Sequence, residues 1–252
     1  MADRPHILTG FHFTKPTLAA FEERVDIVGR MENPKPTPAD IPPGTAATVQ
    51  AIVSTGSVGL SEAMMAALPR LSLFCCYGTG YERVDLEAAR RRNIMVTHGA
   101  DANAPDVAEL AFGILLASTR RIVRADKMIR RGEWTKRIPN RFGAIAGLTG
   151  GKLGILGLGA IGLEVAKRAK GFDMEIGYCN RSQRADVDFP YFPDVMALAT
   201  WCNYLVVCLR SDASNRHIIN ADVLKALGPR GHVVNISRSE EHTSELQSPM
   251  YL

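Results

Sequence analysis

The chain predicts an α/β fold of doubly wound parallel sheets, and three observations carry that expectation. Short apolar strand-like runs alternate with helix-like segments from residue 5 to residue 237, the pattern of strands joined by helical crossovers. Two of the runs, Leu71-Ser72-Leu73-Phe74-Cys75-Cys76 and Tyr204-Leu205-Val206-Val207-Cys208-Leu209, are too apolar for a strand with one wet face. Parallel strands covered by helices on both faces read this way. The third observation is Gly157-Leu158-Gly159-Ala160-Ile161-Gly162, a G-x-G-x-x-G turn set between an apolar run and a helical one.

The elements follow in order. Met31 to Pro43 holds five prolines and reads as a loop. Ala47 to Val53 is a strand that ends in Ser54-Thr55-Gly56-Ser57. A helix over Ser61–Leu68 follows, with Ser61 suited to cap it. After the strand Leu71–Cys76 come a short helix from Asp85 to Arg92 and a strand at Ile94-Met95-Val96. Asp106 to Arg130 reads as one long helix, because Val107, Leu110, Ala111, Ile114 and Leu115 fall at helical spacing. Arg131-Gly132-Glu133-Trp134 ends it, and the stretch to Gly151 is loop-like. A β-α-β unit begins at Leu153, and its second strand is Met174 to Cys179. Tyr204–Leu209 is a buried strand, Ala221–Leu227 a helix and His232–Ser237 a last strand. No repeat at solenoid spacing is present.

Composition sets bounds on function. The chain has 252 residues, 46% hydrophobic and 22% charged, with a net charge of +4. That is ordinary globular composition with length for one or two domains. The longest basic blocks are Arg90-Arg91-Arg92 and Arg120-Arg121. The first ends a helical segment, where cations complement the dipole, so nothing calls for nucleic acid. The apolar runs fall short of a membrane span and no signal peptide opens the chain. Five cysteines form no C-x-x-C and lie in or near apolar strands, which reads as reduced thiols and a cytoplasmic protein. His6, His12, His98, His217 and His232 stand alone, with no metal-ligand spacing. His98, at a strand end, is a minor candidate for a substrate-side role; His232 reads as structural.

The glycine turn carries the strongest chemical reading. Gly157 permits the tight turn, Gly159 the approach of a pyrophosphate, and Gly162 the close packing of helix on strand. The dinucleotide phosphates would meet free N–H groups at the positive end of the helix, with Leu158, Ala160 and Ile161 of the turn as further cofactor-binding residues. The second strand of the unit then decides between cofactors. An NAD site places Asp or Glu at its end, about 20 residues on, to accept from the ribose 2′-OH. Here that end reads Asn180-Arg181-Ser182-Gln183-Arg184, with no acid. A carboxylate would repel a 2′-phosphate, whereas Asn180, Arg181, Ser182 and Arg184 suit one. The expectation is NADPH, with NADH the weaker alternative.

Taken together, Gly78-Thr79-Gly80-x-x-x-Val84-Asp85, Val107-Ala108-Glu109, Arg131-x-Glu133-Trp134, Gly157–Gly162 and Asn235-Ile236-Ser237-Arg238 occur in order. Over roughly residues 45 to 238 the chain resembles the D-isomer-specific 2-hydroxyacid dehydrogenases, most of all their NADPH-linked glyoxylate and hydroxypyruvate reductases. The resemblance implies a flavodoxin-like substrate domain over 1–101 and a Rossmann nucleotide domain over 102–237, the second incomplete. It implies a homodimer gripped partly through the long helix, and reversible hydride transfer to a small 2-keto acid. By the same resemblance Arg238 would bind the substrate's carboxylate and keto oxygen, work that suits a planar, forked cation. Backbone N–H groups near Thr55, Gly56 and Ser57 would hold the carboxylate, though a plain turn explains that loop nearly as well. Thr79, Leu209, Ile236 and Ser237 match cofactor-contacting positions.

The pattern breaks at the end of the chain. The family uses a histidine as general acid and a glutamate that raises its pKa, both well downstream of the arginine. Only 14 residues follow Arg238. Glu240, Glu241 and His242 are nearly contiguous and do not substitute for residues that converge from separate elements. The eleven residues Arg238 to Ser248 are the in-frame translation of a common sequencing adapter. Residues 238–252 are therefore expected to be an artefact tail, and Arg238 has two possible origins, native or adapter-encoded. The chain is expected to be inactive as it stands. Rival readings keep the fold: a phosphoglycerate, D-lactate, formate or phosphite dehydrogenase, or a non-catalytic dinucleotide-binding protein like the corepressors of this fold. Fold alone does not decide among them.

Overall fold

The computed structural model describes residues 4–135, 142, 145–210 and 215–237. The chain divides between Ala102 and Asn103 into two compact units.

The first unit contains strands β1 (His6–Thr9), β2 (Asp26–Arg30), β3 (Val49–Ser54), β4 (Leu73–Cys76) and β5 (Met95–His98), with helices α1 (Lys15–Glu22), α2 (Glu62–Ala67) and α3 (Leu86–Arg91). All five strands are parallel in the order β2-β1-β3-β4-β5. The direction of winding reverses between β1 and β3, where α/β sheets bind ligands at their carboxyl edge. Register is set by apolar pairs: Ile52 sits opposite Phe74, and Phe74 opposite Val96. Leu8, Ile52 and Phe74 are fully buried together with Met64 and Leu68, and Ala88 and Ala89 of α3 complete the layer. Ser61 caps α2 by accepting the Met64 N–H at 3.3 Å, and Asp85 caps α3 by accepting the Ala88 N–H at 2.9 Å. Each cap stabilises its helix by about 1 kcal/mol. The proline-rich stretch is a loop apart from one 3-10 turn at Pro38–Asp40.

The second unit runs α4 (Ala104–Thr119), α5 (Ile122–Arg130), β6 (Lys152–Leu156), α6 (Ala160–Lys170), β7 (Glu175–Cys179), β8 (Tyr191–Phe192), α7 (Val195–Trp201), β9 (Tyr204–Val207), α8 (Ala221–Leu227) and β10 (His232–Asn235). Its sheet is also parallel, in the order β10-β9-β6-β7-β8. Strand periodicity sorts its side chains to two faces. Leu153, Ile155 and Val206 point into one core with α4 and α6, while Leu156, Leu205 and Val207 point into another with α7 and α8. Burial on both faces is why these strands lack polar alternation.

Two expectations are corrected. The single helix over Asp106–Arg130 is two helices, α4 and α5, broken at Arg121, whose φ is +58°. The Thr119 hydroxyl donates back to the Leu115 carbonyl at 2.9 Å and the Leu116 carbonyl at 3.3 Å. Such back-bonding competes with helix propagation. Secondly, β8 and α7 are additional elements. β8 has two residues and α7 has seven, too short to show a period, although Asp194 caps α7 by accepting the Ala197 N–H at 2.8 Å. Strand ends also differ by a few residues: β9 stops at Val207 and β10 at Asn235, which leaves Leu209, Ile236 and Ser237 in the loops beyond.

All five cysteines are free thiols. Burial pushes Cys76 up to about 11 and Cys202 and Cys208 up to about 12, so they are unreactive near neutral pH. Among the described residues no helix is long and apolar enough to cross a membrane, and no cluster of His, Cys, Asp and Glu could hold a metal.

Candidate active site

The carboxyl edge of the second sheet is shaped by what glycine permits. Gly157 leaves β6 at φ +99°, and a Cβ there would lie 3.0 Å from the Leu209 backbone N. A Cβ on Gly162 would lie 2.4 Å from the Gly157 carbonyl oxygen, so α6 can start this close to β6 only without a side chain. Gly159 is different: a Cβ there would meet nothing within 4 Å. The space beside it is open, as a backbone that receives a ligand requires. The first intrahelical bond of α6 runs from the Leu163 N–H to the Gly159 carbonyl at 2.9 Å. The N–H groups of Ala160, Ile161 and Gly162 therefore have no intrahelical acceptor, and they sit at the positive end of the helix.

The loop after β7 clamps this turn from both sides. Asn180 Oδ1 accepts the Leu158 N–H at 2.7 Å. Arg184 Nη1 donates to the Leu158 carbonyl at 2.9 Å, and Arg184 Nε donates to Asp186 Oδ1 at 2.9 Å. The Arg184 N–H in turn donates to the Tyr178 hydroxyl at 2.8 Å. The Arg184 hydrogen bond holds the Asp186 carboxyl below its ordinary range, and that partner raises Arg184. Asn180 thus stands where an NAD site would have its acid, with its side-chain oxygen engaged by the turn. Arg184 is engaged by the turn as well, while Arg181 and Ser182 are exposed. Tyr178 and Asp186 are parts of this clamp that no motif announces. A tyrosine one residue before the strand end gives no pattern by itself.

The ends of β9 and β10 lie beside each other at the same edge. The Ile236 N–H donates to the Val207 carbonyl at 3.2 Å, and the Ser237 N–H donates to Asn235 Oδ1 at 2.9 Å. Leu209 contributes the side chain nearest to Gly157. Gly157–Gly162, Asn180, Arg184, Leu209, Ile236 and Ser237 are thus all placed on the carboxyl edge of one sheet. Arg238 lies outside the described residues, as do Glu240, Glu241 and His242.

In the first unit, Thr55-Gly56-Ser57 follows β3. Thr55 Oγ1 and Ser57 Oγ share a hydrogen bond at 2.8 Å, and the Thr55 carbonyl accepts the N–H groups of Val58 and Gly59 at 3.1 Å each. Gly56 is pressed against the loop that carries Thr79: a Cβ on it would lie 2.0 Å from the Gly80 carbonyl oxygen. Ser54, just before the loop, is fully buried, and its hydroxyl has no hydrogen-bond partner among the described residues. His98 Nδ1 accepts the Ala100 N–H at 3.0 Å, and its ring packs on Tyr81 at 5.0 Å. His232 is structural: it hydrogen-bonds Ser118 Oγ at 2.9 Å, and burial lowers its pKa, helped by Arg121.

Strand order 3-2-1-4-5 in the second unit and a glycine turn at its switch point define a dinucleotide-binding α/β protein. The family model of the D-isomer specific 2-hydroxyacid dehydrogenase NAD-binding domain matches residues 112–245. The chain is 37% identical over 193 residues to hydroxyphenylpyruvate reductase of Plectranthus scutellarioides, spanning 77% of this chain and 61% of that protein. It is 35% identical to a glyoxylate/hydroxypyruvate reductase of Arabidopsis thaliana, over 79% of this chain and 61% of the relative. Among solved structures it is similar to the NADPH-dependent glyoxylate/hydroxypyruvate reductase of Sinorhizobium meliloti in complex with NADP and malonate. That match has a TM-score of 0.79 at 33% identity and covers 94% of this chain and 72% of that one. This chain belongs to the D-isomer specific 2-hydroxyacid dehydrogenase family. It spans about three-fifths of the length of these curated relatives.

Proposed function

We propose that this protein is an NADPH-linked reductase that converts a small 2-keto acid of the glyoxylate or hydroxypyruvate type to its D-2-hydroxy acid. The observation that carries this reading is the end of β7, where a neutral amide and basic residues replace the carboxylate of an NAD site. NADPH, when bound, supplies the hydride. The free N–H groups of α6 take the pyrophosphate, and open space at Gly159 admits it. Arg181 and Ser182 bind the 2′-phosphate. Asn180 and Arg184 hold Leu158, and with it the turn, in place. Thr79, Leu209, Ile236 and Ser237 are proposed cofactor contacts. The N–H groups of the Thr55–Ser57 loop receive the substrate carboxylate.

The first unit is proposed as the substrate domain and the second as the nucleotide domain, with 238–252 as the adapter-derived tail. Arg238 is the proposed substrate arginine where it is native. A cytoplasmic homodimer is proposed. Leu110 and Ile114 of α4 and Ile122 and Ile129 of α5 are exposed at 59%, 40%, 52% and 59%, an apolar surface that a second copy would cover. The 252-residue chain, without counterparts of the family's general-acid histidine and its glutamate, is proposed to bind cofactor without turnover.

The test is a spectrophotometric assay of NADPH oxidation with glyoxylate and with hydroxypyruvate. The protein encoded when the reading frame continues past Ser237 into native sequence is expected to oxidise NADPH and form the D-acid. The 252-residue chain is expected to be silent. Full turnover by the 252-residue chain, or none by the longer protein, contradicts the proposal.

A further inference from the structure

The carboxyl edge of the first sheet holds a concave depression of about 330 Å³, lined by Lys35, Pro36, Val58, Leu60, Ser61 and Arg83 among others. Its size reaches the lower end of the range for small-molecule sites, roughly 300–1,000 Å³. Its walls come from three loops, those after β2, β3 and β4, so it opens where parallel sheets bind ligands.

The depression is a built feature. The Leu60 N–H donates to the Arg83 carbonyl at 3.1 Å, and the Arg83 N–H donates to the Gly56 carbonyl at 3.2 Å. The Asp85 N–H donates to the Leu60 carbonyl at 3.0 Å. These bonds tie the loop after β3 to the loop after β4 and fix where Arg83 emerges. Gly59 makes the tie possible: it sits at φ +78°, and a Cβ there would lie 2.2 Å from the Arg83 carbonyl oxygen.

The charge on the lining is of one sign. Lys35 and Arg83 are cations, and among the described residues no Asp or Glu lines the depression. Three of the acids near them in sequence are engaged elsewhere. Glu32 is bound by Arg30, Asp40 Oδ2 accepts the Thr37 N–H at 2.7 Å, and Glu62 pairs with Arg91 at 3.1 Å. Ser61 Oγ accepts the Met64 N–H at 3.3 Å, which leaves its O–H proton to donate. Residues that carry a forked guanidinium, an ammonium and a hydroxyl line one hollow, a donor set for a tetrahedral, multiply charged oxyanion.

We propose that this depression is a phosphate-binding site, taking either free phosphate or the phosphoryl group of a small phosphorylated acid. It belongs to the first unit and the glycine turn to the second, and it does not depend on the cofactor reading above. Arg83 supplies the bidentate contact, Lys35 the second charge and Ser61 a hydroxyl.

The test is calorimetric titration of the 252-residue chain at low ionic strength with inorganic phosphate, 3-phosphoglycerate and unphosphorylated glycerate. Three variants run in parallel: Arg83→Gln, Lys35→Gln and Arg181→Gln. The first two positions are exposed, and thermal melting checks that they fold. Phosphate or phosphoglycerate binding is expected to weaken about fivefold in each of the first two variants and to survive in Arg181→Gln. Equal affinity for phosphate and phosphoglycerate identifies a free-anion site; tighter phosphoglycerate, with no binding of glycerate, identifies a phosphorylated acid. Absence of binding overturns the proposal. So does binding unchanged in Arg83→Gln and Lys35→Gln, or lost in Arg181→Gln, since the anion would then sit elsewhere.

Discussion

At the carboxyl edge of the first sheet, loops hold one another mainly through their backbones. The Arg83 N–H meets the Gly56 carbonyl, the Gly99 N–H meets the Gly78 carbonyl at 2.7 Å, and Gly56 lies flat against Gly80. At the same edge of the second sheet, side chains do this work. Asn180 and Arg184 reach from the loop after β7 to the two polar groups of the Leu158 peptide. Both sheets have five parallel strands, so the difference lies in the loops. A backbone-held edge keeps its shape whatever side chains its loops carry. A side-chain-held edge presents N–H groups in fixed positions, which suits a cofactor whose phosphates are the same in every cycle.

The largest effects should come from placing atoms where each edge admits none. Gly162→Val puts carbon within 2.4 Å of the Gly157 carbonyl oxygen, and Gly56→Val within 2.0 Å of that of Gly80. Each should destabilise the protein by about 3 kcal/mol or more, because backbone must move. Urea unfolding measures both. A loss below about 1 kcal/mol at either site would mean that its edge is looser than described.

Gly159→Ala separates stability from binding. Its Cβ meets nothing within 4 Å and its φ is −90°, so unfolding should change by less than about 0.5 kcal/mol. NADPH affinity should fall more than about tenfold, because the methyl group fills the space for the pyrophosphate. Unchanged affinity would remove the turn from the cofactor site.

Asn180→Ala leaves the Leu158 N–H without its acceptor and should cost about 1–2 kcal/mol. Asn180→Asp keeps an acceptor and adds a charge that repels a 2′-phosphate, so it should move cofactor preference from NADPH toward NADH. Fluorescence titration of each cofactor reads the shift; an unaltered preference would count against the role given to the end of β7.

The smallest effect concerns pH. His232 has a lowered pKa because burial disfavours its cation, with Arg121 adding to the effect. A group depressed in the folded state contributes stability above its unfolded pKa, near 6.5, and loses it as pH falls through the folded value. Thermal melts of the wild type should therefore lose ground to those of His232→Gln as pH drops below about 6.5. Parallel pH profiles would show that Ser118 and Tyr204 accommodate the charged ring.

How much of this was legible in the sequence follows from distance along the chain. The glycine turn spans six residues, and each glycine has a steric reason that the motif encodes. Asn180 and Arg181 stand at a fixed distance from it, so the absence of an acid there could be read directly. Gly56 and Gly80 meet across 24 residues of chain, and no local pattern announces that contact. The break at Arg121 was hidden because apolar spacing continues through it, and the Thr119 hydroxyl that bonds back to the Leu115 carbonyl leaves no mark in that spacing. β8 and α7 were too short to show a period. Lys35 and Arg83 look like ordinary surface cations until three loops gather around one hollow.

The central claim is that the second unit is a dinucleotide site biased toward the 2′-phosphorylated cofactor. Equilibrium titration of the 252-residue chain with NADPH and with NADH, repeated on Arg181→Gln, tests it most directly. Wild-type protein should bind NADPH at least about tenfold more tightly than NADH, and Arg181→Gln should remove most of that difference. Equal or tighter binding of NADH by the wild type would contradict the assignment of the β7 end, and binding of neither would contradict the dinucleotide site itself.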